Sequence, residues 1–305
     1  SLECLRETVA AREARSFKWA GVSLRLPRAT IGARLIIPRP NARPPFYRYN
    51  LVERQIYLSS FHISPGNVAN YVEGLNRFRP QVLTGMAHSY YLLSRLMLQL
   101  GLQLNYRPRA AILGSEKVTT RVRDTVKEAF RTRVFEEYGS VENCGLATQC
   151  EVGNLHVSPD YGIVEIVDKQ GKAVPPGVPG RVVCTGLFNH YQPLIRYEIG
   201  DVATWSDGAC HCGRSHMPVL QSIVGRLNDV IMLADGRHIV GTDEIFSGID
   251  GVAEGQVVQN SVRDFTLRVV AMPDFGKLQE DQLRDALKKR AGEVCVKVEK
   301  VDQLE

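Results

Sequence analysis

The pattern of apolar residues predicts an α/β protein. A large N-terminal domain holds a layered parallel sheet and a β subdomain, and a small α+β C-terminal domain follows. Three observations carry this. Between residues 55 and 139 short apolar runs alternate with helical periodicity, the rhythm of strand–helix–strand units with parallel strands. After Tyr138 the chain becomes β-rich and turn-rich. From about Val230 a strand pair, a short helix, two strands, a helix and a strand form a unit of about 75 residues, a size that folds alone. At roughly 100–200 residues per domain, 305 residues make two domains. The boundary is placed between residues 1–228, the core domain, and 229–305, the small mobile domain.

Each element has its own warrant. Residues 2–19 have helical spacing, with Leu5, Val9, Ala10 and Phe17 on one side. A Pro- and Arg-rich segment, 26–45, encloses ATIGARLII, a short strand between loops. QIYLSSFHI reads as a strand. SPGNVANYVEGLNRF reads as a helix with Ser64 as N-cap and Pro65 at its first position. PQVLTGM is a strand ending at Gly85, and HSYYLLSRLMLQLGL a helix stopped by Gly101. RAAILGSE, TTRVRDTVKEAF and RVFEEYG repeat the alternation. HVSPDYGIVEIVD, GRVVCTGLF and ATWSDGACHC read as β segments. In the last unit VIMLADGRHIV is a strand–turn–strand, TDEIFSGI a short helix, and QEDQLRDALKKRAG a helix before the strand VCVKVEKV.

Composition narrows the function. A hydrophobic fraction of 44% with 23% charged residues excludes a disordered tail, a collagen-like repeat and a coiled coil. The net charge of +5 is dispersed, which suits nucleotide phosphates and argues against a nucleic-acid partner. No apolar run approaches the roughly 18 residues of a membrane span, and Arg95 interrupts the best stretch. The charged N-terminal segment lacks a signal-peptide core. A cytoplasmic protein without a membrane partner is the expectation.

Seven cysteines, an odd number in a long chain, read as metal ligands sooner than as disulfides. Cys210 and Cys212 share the turn DGACHCGR; Cys150 and His156 share CEVGNLH. Three thiolates and one imidazole are the soft tetrahedral set that Zn²⁺ prefers. Spacing alone does not bring the two pairs together, and His211 and His216 compete as fourth ligand. Four protein ligands would leave no open position, so a zinc here would be structural.

Four more segments stand in order: ILGSEKVT with Gly114, Ser115 and Glu116; EEYGSVEN with Tyr138, Gly139 and Glu142; PLIRYEIGDVA with Arg196, Tyr197, Gly200 and Asp201; and VGRLNDVIML with Gly225, Arg226 and Asp229. Singly each is an ordinary turn. In this order and spacing they resemble the adenylate-forming superfamily of acyl- and aryl-CoA synthetases, luciferases and peptide-synthetase adenylation domains. PPFYRYN…QIYLSSFHISPGNVANY and CHCGR…IVGRLND are similar to its phenylacetate–CoA ligase-like branch, which includes capsule-biosynthesis-type members.

The resemblance implies an ATP-dependent ligase. It would activate a carboxylic acid as its acyl-AMP and pass it to a thiol, on coenzyme A or on a carrier protein's phosphopantetheine. Glu142 then matches the Mg²⁺ ligand, Asp201 the acceptor for the ribose diol, and Arg226 a cation near ribose and phosphate. Tyr138 and Gly139 match the adenine face, and Gly114, Ser115 and Glu116 its edge. Phe61 and His62 match an aromatic gate beside the acyl pocket, which Gly85, Met86 and Ala87 would line. Asp229 matches the hinge of the small domain. Branch members can carry zinc on a Cys…His pair and a C-x-C pair, matching Cys150, His156, Cys210 and Cys212. A homodimer is among the assemblies expected.

The resemblance also implies a Ser/Thr/Gly-rich phosphate loop upstream and a catalytic lysine in a Gly-Lys stretch near the C-terminus. Neither occurs within residues 1–305, so this chain alone is expected to adenylate poorly. Val141 stands where many relatives carry a hydroxyl, and Glu198 and Ile199 replace a basic residue and threonine. The alternative reading is a zinc-stabilised nucleotide-binding module without catalysis.

Overall fold

A computed structural model describes residues 2–304 apart from 40–41, 227–230, 234–237, 240–244 and 247. The chain divides into two compact units. One comprises 1–199 with 203–223; the other comprises 200–202 with 224–305.

The first unit opens with α1 (Leu2–Arg12), which widens into a π-helical turn, Glu13–Phe17. Then come β1 (Arg28–Gly32), β2 (Tyr47–Asn50), β3 (Gln55–Ser59), α2 (Val68–Phe78), β4 (Val82–Met86), α3 (Ala87–Gln99), β5 (Ala110–Gly114), α4 (Thr120–Phe130) and β6 (Arg133–Gly139). The β-rich part has β7 (Leu146–Gln149), β8 (Leu155–Val157), β9 (Gly162–Val167), β10 (Gly180–Gly186), β11 (Tyr197–Trp205) and β12 (Val219–Arg226). The rest comprises β13 (Ile231–Met232), β14 (His238–Ile239), β15 (Val252–Ser261), β16 (Asp264–Ala271), α5 (Lys277–Ala291) and β17 (Cys295–Val301).

Twelve strands form one sheet in the order β2-β3-β1-β4-β5-β6-β7-β8-β12-β11-β10-β9. From β3 to β6 the neighbours run parallel, as the alternating pattern predicts. β6 is the seam. Residues 110–113 of β5 pair with its 133–136 in parallel, while its 137–139 pair antiparallel with β7. Strands of the parallel half are buried on both faces, so β5 reads as the continuous apolar run AAIL. Tyr90, Leu93 and Met97 of α3, Tyr71 and Leu75 of α2, and Phe130 of α4 fill the core against it. In the second unit, β16 lies between antiparallel β15 and parallel β17. Leu283 and Leu287 of α5 pack among Phe265, Leu267 and Val269 of β16.

Three local expectations are corrected. Leu5 and Val9 of α1 are exposed, and Phe17 alone of that stripe is deeply buried. The π turn at 13–17 adds a residue to the helical repeat and rotates Phe17 off the stripe. The second helix begins at Val68 with Asn67 as N-cap. Ser64 instead accepts, through its carbonyl, the N–H groups of Asn67 and Val68 in a preceding turn. The strand expected over QIYLSSFHI ends at Ser59, which leaves Phe61 and His62 in a turn. Half of the short helix expected over TDEIFSGI, residues 242–244 and 247, lies outside the described residues.

Candidate active site and metal centre

Because β3, β4, β5 and β6 run the same way, their carboxyl ends share one edge of the sheet. Open α/β sheets bind ligands at that edge. Four segments singled out in the sequence follow those ends. Phe61 and His62 come after β3, Gly85 and Met86 close β4, Gly114 closes β5, and Tyr138 and Gly139 close β6.

Two of these positions require glycine. Gly85 has φ +124°, and a Cβ there would overlap the Ile31 carbonyl oxygen of the neighbouring strand. A Cβ on Gly114 would overlap the carbonyl oxygen of Glu137. Ser115 turns the chain with φ +66°. Glu116 then reaches back, and its carboxylate accepts the His88 N–H at 2.8 Å. His88 lies in the first turn of α3, where unpaired N–H groups and the helix dipole favour negative charge. The Gly114–Glu116 turn and the Gly85–Ala87 segment are therefore tied together.

Glu142 is exposed, in the turn after β6. The Tyr197 hydroxyl donates to its Oε1 across 3.4 Å. A cleft of about 290 Å³ opens beside them, lined also by Leu5, Asn189, Gln192 and Leu194. Asn143 adopts φ +54°, and its side-chain oxygen accepts the Tyr161 hydroxyl at 3.2 Å. That hydroxyl lies 2.9 Å from Thr8 of α1, so the Glu142 turn is anchored to the N-terminal helix. Tyr197 belongs to one of the four expected segments, and the sequence assigns it no site role. Its proximity to Glu142 joins residues 55 positions apart, which no local spacing reveals.

Other expected residues fall in different surroundings. Tyr138 is half-buried against the core of the β-rich part. Phe61 is exposed. His62 is buried and stacked on Phe46 at 4.9 Å, with Nε2 3.0 Å from the Arg39 carbonyl and Nδ1 2.8 Å from Ser59 Oγ. A carbonyl only accepts, so Nε2 carries the proton and Nδ1 accepts from Ser59. With both nitrogens engaged, His62 is a positioned core histidine. Asp201 lies half-buried in β11, and Arg226 is the last residue of β12. Asp229 lies outside the described residues.

Cys150, His156, Cys210 and Cys212 converge, with ligand atoms all within 4.8 Å of one another. His211 and His216, the competing ligands, are exposed and outside this group. Cys150 and Cys210 sulfurs stand 3.8 Å apart, and Cys212 Sγ lies 3.3 Å from His156 Nε2. A tetrahedron with metal–sulfur bonds of about 2.3 Å has edges of about 3.8 Å, so the donor set and its spacing fit Zn²⁺. His156 Nδ1 is 3.2 Å from the Met217 carbonyl, which accepts the Nδ1–H hydrogen bond and leaves the Nε2 lone pair facing the sulfurs. Burial pushes the Cys150 thiol up. Burial also opposes charge at Cys210. There, hydrogen bonds from the Asn154 amide, 3.1 Å away, and from the Cys212 backbone prevail and lower the thiol to about 6.

No protein-family model matches the chain. It is 26% identical over 261 residues to Protein CapK of Staphylococcus aureus, covering 84% of this chain and 57% of that one. It is 30% identical over 181 residues to a phenylacetate-coenzyme A ligase of Thermus thermophilus, covering 56% and 40%. The chain thus spans about half the length of these curated relatives. A 2-hydroxyisobutyryl-CoA ligase, solved in the postadenylation state with an acyl-AMP, superposes with a TM-score of 0.71 at 20% identity, over 96% of this chain and 65% of that one. A benzoate CoA ligase from Burkholderia xenovorans superposes at 0.62 with 16% identity, over 98% and 62%. The fold is that of the adenylate-forming ligases. The curated relatives it resembles include a phenylacetate-coenzyme A ligase, the branch to which its sequence motifs are similar.

Proposed function

We propose that this chain belongs to a ligase that activates a carboxylic acid with ATP as an acyl-adenylate and transfers the acyl group to a thiol. The observation that carries this is the shared carboxyl edge of β3 to β6, where the segments expected to hold adenine, acid and Mg²⁺ emerge side by side. In the first half-reaction a carboxylate oxygen bonds to the α-phosphorus and pyrophosphate leaves. In the second, a thiolate takes the acyl carbon and AMP leaves. The acceptor is coenzyme A or a carrier-bound phosphopantetheine, and an aryl or arylacetic acid is the substrate class the sequence resemblance favours.

Mg²⁺, when bound, neutralises phosphate charge, and Glu142 is its protein ligand. Tyr197 holds the Glu142 carboxylate through their hydrogen bond. The backbone turn at Gly114–Glu116 is fixed by the Glu116 bond to α3, so it presents a preformed edge to a planar base. Tyr138 supplies an aromatic face, Asp201 accepts both ribose hydroxyls, and Arg226 donates to ribose or phosphate. Asp229 is the pivot of the small domain, and residues 1–228 and 229–305 are the two domains. The Cys150, His156, Cys210 and Cys212 cluster carries a structural zinc, supported by its donor chemistry and spacing.

The test is pyrophosphate exchange into ATP across aryl and acyl acids, measured together with calorimetric binding of AMP. Exchange dependent on a cognate acid supports the ligase. Saturable AMP binding with no exchange for any acid selects the non-catalytic nucleotide-binding module. No binding of either kind contradicts both.

A further inference from the structure

Trp19 and Arg214 lie against the cysteine–histidine cluster and have no part in the chemistry above. Arg214 follows Cys212 by two residues, yet its guanidinium reaches the other ligand turn, where Nη1 bonds Glu151 at 2.8 Å. The same guanidinium hydrogen-bonds Cys212 and sits 4.2 Å from the centre of the Trp19 ring. Trp19 in turn meets the His156 imidazole edge-on, with ring centres 6.0 Å apart and planes at 86°. One cation therefore joins both ligand turns and the N-terminal segment.

The electrostatics favour this placement. Three thiolates around a divalent cation leave a net charge of −1, and a fixed guanidinium beside one sulfur offsets it. The segment carrying Trp19 is itself held firmly. Ser16 Oγ lies 3.1 Å from Thr148 Oγ1 in the interior, and Phe17 packs with Val82, Ala110 and Phe135. Trp19 thus stands over the cluster from an anchored backbone.

We infer that Trp19 and Arg214 form a lid that retains the metal, so that metal occupancy and the packing of the Trp19 ring and the Arg214 guanidinium over the ligand turns are one cooperative event. This rests on the zinc reading above. Outer groups that orient ligands or exclude water change metal affinity by roughly 10–100-fold.

The experiment is zinc release from the full chain to a chromogenic chelator. Wild-type protein is expected to hold zinc by elemental analysis, and Trp19→Ala and Arg214→Gln to release it roughly 10–100-fold faster. Release from both variants at the wild-type rate overturns the lid while leaving the metal site standing. Wild-type protein without zinc after purification, and unable to take up added Zn²⁺, removes the site and the lid with it. A second readout survives a variant that fails to fold. The chain has 2 tryptophans, so Trp205→Phe leaves Trp19 as its lone indole. Chelation should shift its emission to the red, and an unchanged spectrum on complete metal removal overturns the inference.

Discussion

The cysteine–histidine cluster and the carboxyl edge of the parallel strands differ in how far the chain alone completes them. The cluster is built: four ligand atoms within 4.8 Å, three of the residues buried, and the histidine tautomer fixed by a carbonyl. The edge is open. Glu142, the carboxylate proposed to hold Mg²⁺, is exposed and accepts a long hydrogen bond from Tyr197. A structural metal joins parts of the fold, so its ligands must meet inside the fold. An edge that admits a nucleotide, as proposed above for this one, must keep its polar groups in solvent, oriented by backbone geometry.

The largest effect that can break this contrast falls on the cluster. Chelation, or Cys150→Ser, should remove several kcal/mol of stability and lower the thermal midpoint by roughly 10 °C or more. An unchanged midpoint in calorimetry would mean the cluster holds nothing together. Next is Gly85→Ala, which forces a methyl group onto the Ile31 carbonyl at a φ that alanine avoids. A loss of roughly 3 kcal/mol is expected in denaturant unfolding.

At the open edge the expected pattern reverses, with binding affected more than stability. Glu142→Gln should weaken Mg²⁺-dependent ATP binding by roughly tenfold, about 1.4 kcal/mol, as read by calorimetry. Its unfolding free energy should move by less than about 0.5 kcal/mol. Tyr197→Phe should weaken the same binding by a smaller factor, about 0.5–1 kcal/mol, because it only orients the proposed ligand. Equal losses of stability in both variants would erase the distinction between the two regions.

The smallest effect concerns pH. Burial holds the Glu136 carboxyl above its usual value, against the pull of the Val118 N–H and Arg123. The folded state therefore binds this proton more tightly than the unfolded chain does. Its contribution is fully present below the unfolded value of about 4.3 and is lost as pH rises through the folded value. Glu136→Gln should flatten the stability profile just above that pH, measured by urea unfolding across pH 4–7.

Much of the parallel half was legible in the sequence because each βα unit writes itself locally: an apolar run, a turn, then a helical stripe. Gly85, Gly101 and Gly114 mark their turns for the same reason. The N-terminal helix departs from its expected stripe because a π turn shifts the helical phase without any sequence signal at Glu13–Phe17. His62 stands next to apolar residues, and the sequence does not tell that its partners are Ser59 and the Arg39 carbonyl. The cluster residues could be named as two pairs, yet their meeting is a tertiary fact, made by β8 pairing with β12 near His156 and Val219. Tyr197, Trp19 and Arg214 were missed as partners for the same reason. An arginine two residues after a C-x-C pair is the one local hint that the turn needs a counter-charge.

The most direct test of the central claim is calorimetric titration of the full chain with a non-hydrolysable acyl-AMP analogue, before and after Asp201→Ala. The account predicts saturable binding to the wild-type chain and its loss in the variant, with zinc content unchanged. Failure of the wild-type, metal-replete chain to bind the adenylate, or equal binding by the variant, would contradict it.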